Sequence, residues 1–260
     1  MTPDWALQIL EQNTHNRSFR PTLVAQIAND ICAGRWLLTP QTCSIATDGT
    51  LLDGQHRLMA IVKSGQTVPL MLATECPPEV FAAIDTGVSR TAGDLLRIEG
   101  IVNYNNIAAL IKAVTLYRNA PHVVWTSSCY PLSKQAILDI YKSDPSGWTK
   151  SGAYYKVSGS CKFAHPTTMA ALHYLYSQES PELGHLVSHY IHQFVSGELL
   201  SFGSPILAIR NYMANNYKAR SSGRVGQFHI ACHIKAFSYW RDDCELRLFK
   251  VPTIVPMPML

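Results

Sequence analysis

What this chain lacks narrows it before any motif is read. No apolar run comes near the roughly 18 residues that a membrane-spanning helix needs, so no such span is expected. The opening MTPDWALQILEQN is amphipathic and acidic with no basic segment ahead of it, which does not suit a secretory signal. Seven cysteines, an odd number without a single CxxC pair, fit neither a disulfide framework nor a zinc ribbon. Reduced thiols in a cytoplasm are the expectation. A G-x-S-x-G elbow, a Walker A run, a G-x-G-x-x-G after a strand and an H-E-x-x-H pair are all missing. With them go the ready-made serine-hydrolase, P-loop, dinucleotide and zinc-protease readings. No internal repeat is visible.

What is present suits a protein with a substantial core. Of the 260 residues 47% are hydrophobic and only 15% charged. The net charge of +4 is unevenly spread: residues 1–99 carry 7 Lys/Arg against 10 Asp/Glu, residues 100–260 carry 15 against 8. A basic second half points to a polyanionic partner, or to nothing more than lysines that keep a surface hydrated.

The chain is organised around Leu51–Val62, LLDGQHRLMAIV. Two apolar residues follow an Asp48-Gly49 turn signal, and Asp53-Gly54 then leads into a helical pattern in which Leu58, Ile61 and Val62 share a face and Gly65 is a natural stop. Gln55, His56 and Arg57 fall in the first turn. The N–H groups of that turn have no intrahelical partner, and the helix dipole favours negative charge there. Gly54 lets an anion approach the backbone and Arg57 can grip it through two N–H groups. The bland alternative is a surface junction whose polar first turn is simply solvated.

The periodicity predicts helices over residues 4–12 and from Pro21 to Gly34, then short strands at Trp36–Leu38, Cys43–Ala46 and Thr50–Leu52. Thr67–Thr74 is the most strand-like run, with Pro69 suggesting an edge or a bulge. Pro77-Pro78 opens a brief helix, and in IDTGVSRTAGDLL Thr91 can cap a helix with Asp94 at its third position. Beyond about residue 103 the pattern is helical: a stripe from Ile107 to Tyr117, a helix capped by Ser133, and helices over roughly 166–178, 182–196, 205–218 and 227–241. Between them Asp144–Cys161, rich in Gly and Ser, reads as a long loop or flap. The tail VPTIVPMPML holds too many prolines to be helical. The fold class is therefore α+β over residues 1–100, an all-α domain over 101–245 and an extended Pro-rich tail over 246–260.

An early Asn16-Arg17, a helix closed by glycine, a hairpin and then DGQHRLMAI together resemble the ParB/sulfiredoxin-like fold, a small mixed sheet with helices. The closest likeness is to the DGQHR-type ParB-like proteins of bacteriophages and mobile elements. IDTGVSRTAGDLL looks like a second hallmark of that group, and the IKAFSYW helix followed by a Pro-rich tail is similar too. In the partition branch the matching motif, G-E-R-R-x-x-A, binds nucleotide phosphates; here Gly54, Gln55, His56, Arg57 and Ala60 occupy it. In the sulfiredoxin motif a catalytic Cys stands where this chain has Gln55, which excludes that thiol chemistry. The same Gln replaces a Glu of the partition branch, so it can orient water but is no general base at neutral pH.

The resemblance implies a phosphate or nucleoside triphosphate (CTP or ATP) held by Asn16, Arg17, Asp53, Gly54, Gln55, His56, Arg57, Thr86, Ser89 and Arg90. Asp53 and Asp85 could recruit Mg²⁺, or serve respectively as a helix-start stabiliser and a turn former. For phosphoryl chemistry, slow NTP hydrolysis or phosphotransfer, Arg57 and the helix amides would stabilise charge, His56 would act as acid or ligand contact, and Gln55 would place water. DNA would be met by the basic half, in a bacterial cytoplasm, through the Lys218, Arg220 and Arg224 of YKARSSGR, with Tyr154-Tyr155 available for stacking. Self-association stays open. A DNA-binding regulator with a degenerate pocket is the second reading and a ParB-like nuclease the third. His185, His189 and His192, like His229 and His233, have chelating helical spacing but no acidic companion, so packed or solvated imidazoles are expected rather than zinc.

Overall fold

The computed structural model describes residues 1–14, 16, 18–83, 91–126, 129–216 and 223–260. It is mixed α+β, with a three-stranded sheet and a larger number of helices, and its contacts fall into two compact units: Met1–Arg90 with Pro131–Ala136, and Thr91–Tyr130 with Ile137–Leu260. No helix of the described residues is long and apolar enough to cross a membrane.

In the first unit α1 (Pro3–Glu11) starts at Thr2, whose hydroxyl accepts the Trp5 N–H, and α2 (Pro21–Cys32) starts on a proline, where a missing N–H costs nothing. Strand β1 (Cys43–Ala46) runs antiparallel to β2 (Leu51–Asp53) and parallel to β3 (Leu72–Cys76), giving the order β2-β1-β3. Helix α3 (Gln55–Ser64) follows β2 after one residue and ends on left-handed Gly65, as the sequence pattern requires. Its Leu58, Ala60 and Ile61 are fully buried against Ala6, Ile9, Val24, Ala28 and Ile31 of the two earlier helices. A 3₁₀ helix, Pro78–Ala83, follows β3. The segment 131–136 joins this unit through Gln26 Nε2, which donates to the Leu132 carbonyl, and Ser133 Oγ, which donates to Asp30.

Two strand expectations shift. Trp36–Leu38 forms no ladder; Leu37 and Leu38 stay exposed and Trp36 spends its indole N–H on the Pro69 carbonyl. Pro69 has no N–H for a ladder, so the third strand begins only at Leu72.

The second unit contains α4 (Ala92–Ile98), α5 (Tyr104–Asn119), α7 (Pro145–Gly152), α8 (Tyr154–Ser158), α9 (Pro166–Glu179), α10 (Pro181–Ser196), α11 (Pro205–Asn216) and α12 (Gly223–Arg241); α6 (Lys134–Ser143) begins in the first unit and continues into this one. Thr91 and Asp94 form the expected capping box on α4. Helix α9 is the centre: Thr168 through Tyr176 are all buried, because a helix touched by α5, α7, α8, α10 and α12 needs apolar residues all round.

The expected loop at 144–161 is instead α7 and α8. Asp144 caps α7 by accepting the Gly147 N–H, Pro145 takes the first position, and Trp148, 1% exposed, stacks on Tyr174 with centroids 3.6 Å apart. The small residues serve close packing, not flexibility: a Cβ on Gly152 would lie 2.7 Å from Ile107. Tyr154 and Tyr155 turn their hydroxyls to Ser188 and to Thr167 and the Asn106 carbonyl, and Tyr154 stacks on His173, so neither ring is presented for a base.

The tail is non-helical, as expected, and bonds to its own unit: Met257 N–H donates to the Pro121 carbonyl and Tyr117 donates to that of Pro258. Gln227, wholly buried, joins three segments by donating to the Val123 and Ile254 carbonyls and accepting the Trp125 N–H. Gln227→Ala strands those groups, and a loss of about 2–4 kcal/mol in a urea melt is expected from the cost of unsatisfied buried polar groups.

Candidate phosphate site at the start of α3

The site begins with Gly54. Its φ of +103° is left-handed, and a Cβ there would sit 2.1 Å from Cys43 Sγ, so only glycine fits the step from β2 into α3. Gly54 brings no capping side chain to the helix; its own N–H donates to Asp53 Oδ1 at 2.6 Å.

Around this start the fold brings together Asn16, Asp53, Gly54, Gln55, His56 and Arg57. Arg57 reaches back one turn to Asp53 Oδ2 at 3.0 Å, and its two terminal nitrogens also donate to the Gln41 and Thr42 carbonyls. These bonds use three of the five N–H groups of the guanidinium; the Nε–H and one Nη1–H are engaged with no described residue. Gln55 is 4% exposed and accepts the Asn13 amide N–H at 3.1 Å. His56, 8% exposed, accepts the Arg20 backbone N–H on Nε2 at 3.0 Å, with Phe19 edge-on to its ring. Asn16 donates to the Leu51 carbonyl at 2.6 Å.

Each of these bonds has a chemical consequence. A lone pair at His56 Nε2 is used by Arg20, so in this arrangement that nitrogen carries no proton to give. Gln55 holds its oxygen in a bond and cannot ionise. The Cys43 thiol beneath Gly54 is pushed up to about 11 by burial, with Arg57 opposing and Asp53 adding to the shift, which leaves it protonated and unreactive. Asp53 already accepts from Gly54 and Arg57, so a Mg²⁺ ion there would share the carboxylate with the Arg57 cation. Among the described residues no group of three or more His, Cys, Asp or Glu is arranged to hold a metal.

Arg17, Asp85, Thr86, Ser89, Arg90, Lys218 and Arg220 lie outside the described residues. Arg224 is exposed in the first turn of α12, in the other unit. Sequence reasoning missed Asn13, Phe19, Arg20, Gln41 and Thr42. Asn13 belongs to a polar run beside Asn16, a visible signal; the Gln41 and Thr42 carbonyls act through the backbone and leave no signature in residue type. Asn13 Oδ1 is buried and accepts no hydrogen bond from a described residue.

No protein-family model, curated protein or solved structure matches the chain.

Proposed function

We propose that this chain is a ParB-like, DNA-associated protein of the cytoplasm that binds a nucleotide or nucleic-acid phosphate at the start of α3. The observation that carries the reading is Arg57, folded back over an N-terminus headed by a left-handed glycine, with two N–H groups engaged by no described residue. Its ion pair with Asp53 is partly exposed and worth at most about 1 kcal/mol, so a phosphate can exchange for the carboxylate. Seven free cysteines suit the reduced setting.

The same geometry favours binding over turnover. Gln55 and His56 have their functional atoms engaged by Asn13 and Arg20, which leaves neither poised as a base; a regulator that senses a nucleotide is thus the better supported form, and slow NTP hydrolysis or phosphotransfer, with Mg²⁺, the other. DNA contact would fall to the basic residues of the second unit, including Lys218, Arg220 and Arg224, and retention on DNA would weaken steeply with salt.

Asp53→Asn discriminates. Removing the competing carboxylate should raise affinity for CTP, ATP or inorganic phosphate several-fold in calorimetry if Arg57 serves an anion. Unchanged or absent binding in both proteins would mean that Arg57 only fastens α3 to the segment before β1.

A further inference from the structure

The second unit buries imidazoles that the proposed phosphate site does not use. His229 and His233 stand one turn apart on α12, 2% and 0% exposed, and His165 at the start of α9 packs edge-on to His229 with centroids 5.5 Å apart. His233 Nδ1 shares a hydrogen bond of 2.9 Å with the Tyr190 hydroxyl of α10, while Nε2, enclosed in the core, has no described partner. Its ring also lies edge-on to Phe194 at 4.6 Å.

This arrangement accommodates one proton on His233 and not two. A neutral ring needs a single partner at Nδ1, and Tyr190 can donate or accept. A cationic ring has two N–H groups; Tyr190 accepts one and the other points into the core. No carboxylate of the described residues pairs with His165 or His233. Among the described residues, the polar and titratable groups facing the cluster include Tyr190 from α10, His165 and the Thr168 hydroxyl, 3.5 Å from His165 Nδ1, from α9, Arg210 from α11 over the Phe194 ring, and His229 and Cys232 from α12 itself. None of these carries a negative charge, so a proton on His233 gains the hydrogen bond to Tyr190 and otherwise meets desolvation and the neighbouring imidazoles.

We propose that His165, His229 and His233 form an acid-sensitive latch: neutral, they close α12 against α9 and α10, and a proton taken up by the cluster opens that packing. Burial holds all three below the ordinary value of 6.5, His229 at about 4, with the neighbouring imidazoles lowering His229 and His233 further. Because the folded form binds fewer protons than the unfolded one, stability is complete above about pH 6.5 and is lost as pH falls towards 4. His173, bonded to Ser151 and stacked on Tyr154, is lowered likewise but stands outside the cluster.

Hydrogen exchange of the full chain, corrected for intrinsic rates, tests the latch. Between pH 7 and pH 5 the opening equilibrium of α12 peptides should rise about 20-fold for each titrating imidazole. In the His229→Gln/His233→Gln variant less than a tenth of that rise should remain. An equal rise in the variant overturns the proposal. Should the variant not fold, ring titration of the wild type by NMR decides: imidazoles that stay neutral until the native spectrum is lost support the latch, and rings that titrate near pH 6.5 in an intact fold refute it.

Discussion

Gly54→Ala is expected to cost the first unit about 2–5 kcal/mol, enough to unfold a marginal domain. Two terms add. A side chain at φ +103° pays the left-handed penalty of about 1–2 kcal/mol, and the new methyl would fall 2.1 Å from Cys43 Sγ and 2.8 Å from its Cβ, forcing β1 away from α3 at about 1–3 kcal/mol more. Gly49 is the control: it too is left-handed, at φ +86°, but nothing lies within 4 Å of its Cβ position. Gly49→Ala should therefore cost only the left-handed penalty of about 1–2 kcal/mol. Cys43→Ala should destabilise the wild type and yet help Gly54→Ala, a reversal of sign that urea melts of the four proteins would show directly.

Trp148→Ala should destabilise the second unit by about 3–5 kcal/mol. The ring is almost wholly buried, lies parallel to Tyr174, and gives its N–H to the Ile140 carbonyl at 3.0 Å. Truncation opens a cavity, ends the stacking and removes one of the two side-chain donors on that carbonyl, the Ser143 hydroxyl at 2.7 Å being the other. Trp148→Phe keeps the aromatic contact and loses the donor, so about half the effect is expected, read by thermal melts followed in the far-ultraviolet.

Trp148 also shows what the residues could and could not reveal. Read by composition, DPSGWTKSGAYYKVSGSC is a flexible flap. In the fold, Asp144 is a cap, Pro145 a first-turn residue and Gly152 a contact point for Ile107, three roles that depend on neighbours far along the chain. Where signals were local the reading held. The glycines bounding α3, the Thr91–Asp94 box and the apolar stripe of α5 each fix their element through adjacent residues. Trp36–Leu38 has strand chemistry but no partner, since ladder pairing is settled by where the chain returns. At the candidate site the clustering of Asn16 with Gly54–Arg57 follows from the motif, whereas Arg57's hold on the Gln41 and Thr42 carbonyls does not, because any residue type supplies a carbonyl. The two sets of helically spaced histidines look alike in sequence; only the packing separates the exposed His185, His189 and His192 from the buried pair on α12.

The most direct test of the phosphate reading is calorimetric titration of the full chain with CTP and ATP, with and without Mg²⁺, beside Arg57→Ala and Arg57→Lys. Saturable binding is expected that falls at least about tenfold in Arg57→Ala, through loss of a charge-assisted contact, and is partly kept in Arg57→Lys. Circular dichroism would verify that each variant is folded, since Arg57 also fastens the backbone. Binding of equal strength in a folded Arg57→Ala protein, or no heat with any nucleotide in the wild type, would contradict the phosphate reading.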